Sequence, residues 1–213
     1  MRKMTMMLML SVAVLLVAAT AQAALIVENG SFESPDLGTS KWAWLAAGTT
    51  QEGWKNHHGE TFWQSPSNYG WEIGDAHDGD QVLGVRQSAR VSQSIGVVEA
   101  GETDITITFA HALQDGMVAP PNIRVLLVNA NGWGILGGIT DLTGSNTSSW
   151  TTESFTATVA VGTEVLVWFD TGGSSSAAVL FDNFAVSAVP EPATMGLLGI
   201  GGFLAFAVRK LRM

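Results

Sequence analysis

Nucleophilic, metal-assisted and acid–base chemistry each demand certain residue types at certain spacings, and this 213-residue chain offers few of them. It contains no cysteine, so it has neither a thiolate nucleophile nor a disulfide. A serine nucleophile on a strained strand-to-helix turn would read Gly-x-Ser-x-Gly, and that pattern is absent. Of the four histidines, His57, His58, His77 and His111, none stands in a His-x-x-x-His or His-Glu-x-x-His spacing that would aim two imidazoles at one metal. The adjacent pair His57 and His58, in a stretch with glycine and asparagine, reads as a loop feature. Glu60, Glu72 and Glu153 are candidate carboxylates for glycoside hydrolysis, but that reaction depends on the separation of two facing acids, which a sequence does not give. The expectation is a protein without catalytic residues.

Tryptophan is what the chain has in quantity, with eight residues. Trp42, Trp44, Trp54, Trp63 and Trp71 crowd together with Tyr69 in an interval rich in Gly, Asn, Gln and Ser, whereas core tryptophans are usually embedded among aliphatic neighbours. Sugars present apolar C–H faces rimmed by hydroxyls, which exposed aromatic rings flanked by amides and carboxylates match. Trp54, Trp63, Tyr69 and Trp71 are therefore the expected ligand-binding residues. Trp54 and Trp63 lead because polar residues surround them, and Asn56, Gln64, Asn68 and Glu72 are the expected hydrogen-bond partners. The alternative, in which the rings plug one end of a sandwich or pack between loop and sheet, stays open at this stage.

The elements that must position these residues are strands. Ile105, Ile107 and Phe109 alternate with Thr106 and Thr108, the period of two that marks a half-buried strand. Further strands are expected around 25–27, 81–85, 90–95, 123–128, 152–161, 163–169 and 178–186, separated by turn formers such as Asp78-Gly79-Asp80 and Asn129-Ala130-Asn131-Gly132. The tryptophan-rich interval lacks long apolar alternation and is expected to form loops or short edge strands. No helical period of any length appears between the two ends of the chain. The fold class implied is all-β, an antiparallel β-sandwich.

Both ends read as targeting segments. Arg2 and Lys3, an apolar run from Met4 to Ala19 and the small-residue sequence Ala21-Gln22-Ala23 make a signal peptide over residues 1–23. At the other end, residues 193–208 carry no charge and precede Arg209, Lys210 and Arg212, the pattern of a marginal transmembrane helix with its basic end on the cytoplasmic side. Residues 24–188 remain as one domain, long enough to build a full core without disulfides. Its five basic residues, Lys41, Lys55, Arg86, Arg90 and Arg124, stand against 18 acidic ones, a formal charge of −13. Phosphate contacts need clustered Lys and Arg, so nucleic acid is excluded as a partner.

Val189-Pro190-Glu191-Pro192-Ala193, followed by an apolar stretch and a basic cluster, resembles the PEP-CTERM sorting signal. The resemblance covers residues 189–213. It implies sorting by an exosortase-type membrane enzyme, found in Gram-negative bacteria that make extracellular polysaccharide, with Pro190, Glu191 and Pro192 as the motif. The implied product is an inner-membrane-anchored precursor sorted to the cell envelope or extracellular matrix. The proline-flanked step is stiff, extended and unable to continue a helix. A Leu-Pro-x-Thr-Gly sortase motif is absent, as is the cysteine that a lipoprotein requires.

A second resemblance, spread over most of the domain, is to the jelly-roll sandwiches of carbohydrate-binding modules and galactose-binding-like domains. It is carried by Asn29-Gly30-Ser31-Phe32-Glu33, His77-Asp78-Gly79-Asp80-Gln81-Val82-Leu83, Ser92-Gln93-Ser94-Ile95 and Leu180-Phe181-Asp182-Asn183-Phe184. It implies a structural calcium ion joining the two ends of the domain, with Glu33 and Asp182 as ligands and backbone carbonyls completing the oxygen shell. Extracellular polysaccharide is the implied partner. A structural matrix or surface protein without sugar binding, and a small glycoside hydrolase, remain as alternatives.

Overall fold

The computed structural model describes residues 25–65, 75–99, 103–113, 123–142, 149–172 and 178–189. The signal peptide, the tail with Pro190, Glu191 and Pro192, and the candidate residues Asn68, Tyr69, Trp71 and Glu72 lie outside them. The described residues form ten strands and no helix: β1 (Trp42–Leu45), β2 (Thr50–Gln51), β3 (Trp54–Gln64), β4 (Val82–Val97), β5 (Asp104–Leu113), β6 (Ile123–Asn129), β7 (Ile135–Ile139), β8 (Thr151–Thr158), β9 (Glu164–Thr171) and β10 (Val179–Val189). All pairings are antiparallel. The fold is the all-β antiparallel sandwich that the alternation implied.

One continuous ladder runs β7-β6-β9-β4-β10-β5-β8, with β3 alongside β4 and with β1 and β2 on β3. Strand β4, 16 residues long, serves both layers. Its Leu83–Val85 end pairs with β10, and its Arg90–Val97 end pairs with β9. The chain turns between them at Ser88, which has φ 57°, while β3 turns beside it through Gly59, with φ 81° and two register shifts. A Cβ at Gly59 would lie 2.3 Å from the Ala89 Cα, so glycine is required where the two bent strands press together.

Between the layers lies one aliphatic and aromatic core. Phe169 of β9 stacks on Phe181 of β10 at 4.7 Å and 7°, and Phe109 of β5 stacks on Phe184 at 4.9 Å and 5°. Trp54 of β3 stacks on Phe169 at 5.1 Å and is flanked by Phe32 and Phe184. The expected strand at 25–27 is not one, although the Ile26 N–H donates to the Ile95 carbonyl. This segment is instead clamped to the last strand: the Phe184 N–H donates to the Gly30 carbonyl, and a Cβ at Gly30 would lie 2.0 Å from the Phe184 carbonyl oxygen.

Candidate functional site

Two of the expected ligand-binding residues must be reassigned. Trp54 and Trp63 are both 0 % exposed and belong to the core. They cannot form a sugar platform in this fold. The interval that read as loops or short edge strands holds an 11-residue strand, β3, hydrogen-bonded to β4 along its length. Its polar composition misleads because inner positions also accept polar groups: buried Asn56 donates through Nδ2 to the Leu45 and Gly59 carbonyls. His57 and His58 sit within this strand and are not a loop feature.

The outer face of the layer β3-β4-β9-β6 carries the aromatic groove that the domain does possess. Inner positions of β9, Val165, Val167 and Phe169, are buried in the core, so period two turns Glu164, Leu166, Trp168 and Asp170 outward. Trp168 lies in register between Ser92 of β4 and Leu126 of β6. The His57 ring packs on Trp168 at 4.7 Å and 33°, and its Nε2 is 2.8 Å from the Ser92 Oγ. Above them stands Trp133, edge-on to Trp168 at 5.3 Å and to His57 at 6.1 Å. The groove has a volume of about 430 Å³, and Lys55, His57, Ser92, Ser94, Trp133 and Glu164 are among its lining residues.

Trp133 reaches this place through the β6–β7 hairpin. The Asn129 carbonyl accepts the Trp133 N–H and its Oδ1 accepts the Asn131 N–H, which closes a tight turn. Trp133 has φ 55°, a left-handed conformation uncommon for a bulky side chain, and is 57 % exposed. Strain of this kind clusters at functional positions. Burial lowers the His57 pKa from its ordinary value, and the neighbouring charges of Lys55, His58 and Arg90 act in the same direction. The imidazole is therefore neutral at pH 7, with one nitrogen to donate and one to accept.

A step further along the strands, Arg90, Asp170 and Arg124 form one cross-strand row. Both guanidinium groups meet the same carboxylate oxygen of Asp170: Arg124 through Nη2 and Arg90 through Nε at 3.6 Å. The opposite layer carries a second aromatic surface of Trp42, Trp44 and Phe62, with the Arg86 guanidinium over the Trp44 and Phe62 rings at 5.5 and 5.7 Å. Arg86 is tied to Glu60 at 2.5 Å.

Glu33 and Asp182 both grip the loop that precedes β4. Glu33 Oε1 accepts the Asp80 and Gln81 N–H groups at 2.9 Å, while the Asp182 carboxylate accepts those of Asp78 and Asn183. Asp182 is fully buried, and burial pushes its pKa up to about 7 against the pull of the hydrogen bonds from Asp78, Asn183 and His77. No basic side chain pairs with it among the described residues. A buried carboxylate that no basic side chain balances suits a hard cation. Among the described residues no three His, Asp or Glu side chains gather for a metal, so main-chain carbonyls would have to complete the shell. A concavity of about 560 Å³ near Glu33 is lined by Asp36, Asp80 and Gln81 and, among the described residues, by no aromatic ring.

Residues 188–212 match the PEP-CTERM protein-sorting motif, which marks the chain as an exported, membrane-anchored precursor. No protein of curated function matches the chain. Among solved structures it is similar to the CBM22-1 xylan-binding domain of Paenibacillus barcinonensis Xyn10C, with 18 % identity and a TM-score of 0.50 over 81 % of this chain and 99 % of that one. It is also similar to a CBM4 structure, at 19 % identity and TM-score 0.46 over 76 % and 99 % of the two chains. A third is the N-terminal cellulose-binding domain of Cellulomonas fimi β-1,4-glucanase C, at 20 % identity and TM-score 0.40 over 68 % and 93 %. The likeness to the first of these shows the fold, a β-sandwich of the carbohydrate-binding-module kind.

Proposed function

We propose that the protein is an exosortase-sorted, non-catalytic component of the envelope or extracellular matrix that binds extracellular polysaccharide in the groove of His57, Trp133 and Trp168. The observation that carries this reading is the half-exposed Trp133, held in a left-handed conformation above two further rings and beside Ser92, Ser94 and Glu164. Rings supply faces for sugar C–H groups, and the flanking hydroxyls and carboxylate supply hydrogen-bond partners for the rim. Affinity electrophoresis of the full-length protein through gels containing soluble polysaccharides tests it. Retardation by at least one of them is the expected result. Unchanged migration in every gel would move the protein to a structural role without sugar binding.

The tail is read by its sorting enzyme at Pro190-Glu191-Pro192, and Glu191→Ala is expected to insert into the membrane normally but to accumulate uncleaved. Immunoblotting of membrane fractions from a strain with the enzyme follows this, and normal processing of the variant would remove Glu191 from the recognised motif. Both ends, the signal peptide over 1–23 and the membrane segment over 193–208, serve this export route.

Calcium is the cation proposed between the two ends of the sandwich, held by Glu33 and Asp182 with carbonyls of the adjoining loops. Asp182 sets the pH behaviour of the metal-free protein. Its folded pKa, about 7, exceeds the ordinary 3.8, so the folded state holds its proton more tightly. The stabilisation is complete below pH 3.8 and is lost as pH rises through 7, by at most about 1.4 kcal/mol per unit. Melting in chelator is therefore expected to show stability from this group falling between those limits, with Asp182→Asn abolishing the slope and added calcium raising the melting temperature at pH 8. A melting temperature indifferent to chelator at pH 8 would count against the metal.

A further inference from the structure

The charge pattern of the groove is at odds with that of the domain. The domain is strongly acidic, yet three of its five basic residues, Lys55, Arg90 and Arg124, lie on this one sheet face. Among the described residues the acids beside them are Glu164 at the Trp133 end and Asp170 at the other. Asp170 is 8 % exposed at its side chain and meets both guanidinium groups through one oxygen. Among the described residues one carboxylate thus balances one arginine, which leaves the pair with an unmatched positive charge. The arginine side chains remain 48 % and 38 % exposed, so that charge faces solvent. Guanidinium groups match carboxylates in a two-pronged geometry, and a shared buried acid fixes their orientation in advance.

The placement relative to the rings gives the charge a use. Along β9, Glu164 to Asp170 spans six residue steps, or ~20 Å, long enough for several consecutive sugar units. Trp168 stands directly before Asp170 in the outward series. A chain lying across Trp133 and Trp168 therefore brings a later unit onto Arg90 and Arg124. We infer that the groove takes an acidic polysaccharide, whose carboxylate-bearing sugars are held by Arg90 and Arg124 while neighbouring units stack on Trp168 and Trp133. This rests on the groove being the glycan site.

The test uses full-length protein and a panel of oligouronides (galacturonate, glucuronate and mannuronate), each paired with its uncharged methyl ester. At low salt at least one acid form is expected to bind about tenfold more tightly than its ester. The preference should shrink as salt rises from about 0.02 M to about 0.5 M, because exposed charges are screened. Arg90→Gln, which leaves Arg124 on Asp170, should erase the preference, bringing the ratio of acid-form to ester affinity to about one. Arg90→Lys, which keeps the charge but loses the planar fork, should retain only part of it. If uncharged chains bind as well as or better than acidic ones, the groove stands as a sugar site and this inference falls. If neither the oligouronides nor any neutral polysaccharide binds, both fall together.

Discussion

Trp54→Ala is expected to destabilise the domain by about 3–5 kcal/mol, because truncating a buried tryptophan removes its burial and leaves a cavity that rigid neighbours fill only in part. The site cannot collapse easily. Trp54 is fully buried, stacks on Phe169 at 18° and also meets Phe32 and Phe184, rings contributed by three other segments of the chain. Its Nε1 donates to the Asn29 carbonyl, which ties β3 to the N-terminal segment. Denaturant unfolding followed by circular dichroism measures the loss. A variant as stable as the parent would return Trp54 to the surface, where its polar sequence neighbours had suggested it belongs.

Trp133→Ala and Trp168→Ala are expected to do the opposite: to keep the fold and lose the ligand. Trp133 is more than half exposed at a hairpin tip, so its removal uncovers little core. The alanine also adopts a left-handed conformation with less crowding than tryptophan. Truncating a central aromatic contact typically costs about 2 kcal/mol, or roughly 30-fold in affinity. Trp168 should matter at least as much, since it is the ring that both His57 and Trp133 pack against. Affinity electrophoresis of the two variants beside Trp54→Ala separates the roles: the core variant loses most stability, and the groove variants stay folded and lose retardation.

The legible part of the fold was where alternation is undisturbed. Ile105, Ile107 and Phe109 fall on the inner face of β5, and the boundary expected between strands 152–161 and 163–169 falls between β8 and β9. Strands 81–85 and 90–95 were found as two pieces of β4, because the bend at Ser88 interrupts the period without ending the strand. Strand β3 escaped notice for a related reason. Register shifts between Asn56 and His58 and between His58 and Glu60 break its period, and its outer residues, Lys55 and His57, face the polar groove. Strand β7, Ile135–Ile139, was hidden by its two glycines, of which Gly137 packs against Ala157 and Gly138 against β6.

The site was less legible than the fold. Clustering in sequence drew attention to Trp54 and Trp63, although the sheet carries both into the core. Trp168 carried a usable signal, since a strand with Val165, Val167 and Phe169 inward must turn Trp168 outward. Trp133 carried one too, as an aromatic residue set among turn formers, Asn131, Gly132 and Gly134. That these two meet with His57 follows from the pairing of β6 with β9, of β9 with β4 and of β4 with β3, four segments separated along the chain. By contrast, the Glu33 and Asp182 positions suggested by resemblance do hold one loop between them.

Two aromatic surfaces on opposite layers make location the decisive question. Covalent indole labelling of the full-length protein, read residue by residue with and without saturating polysaccharide from the gel screen, answers it directly. The account predicts that bound glycan protects Trp133 and Trp168 while Trp42 and Trp44 label at their free rates. Protection at Trp42 and Trp44 with Trp133 left reactive would contradict it.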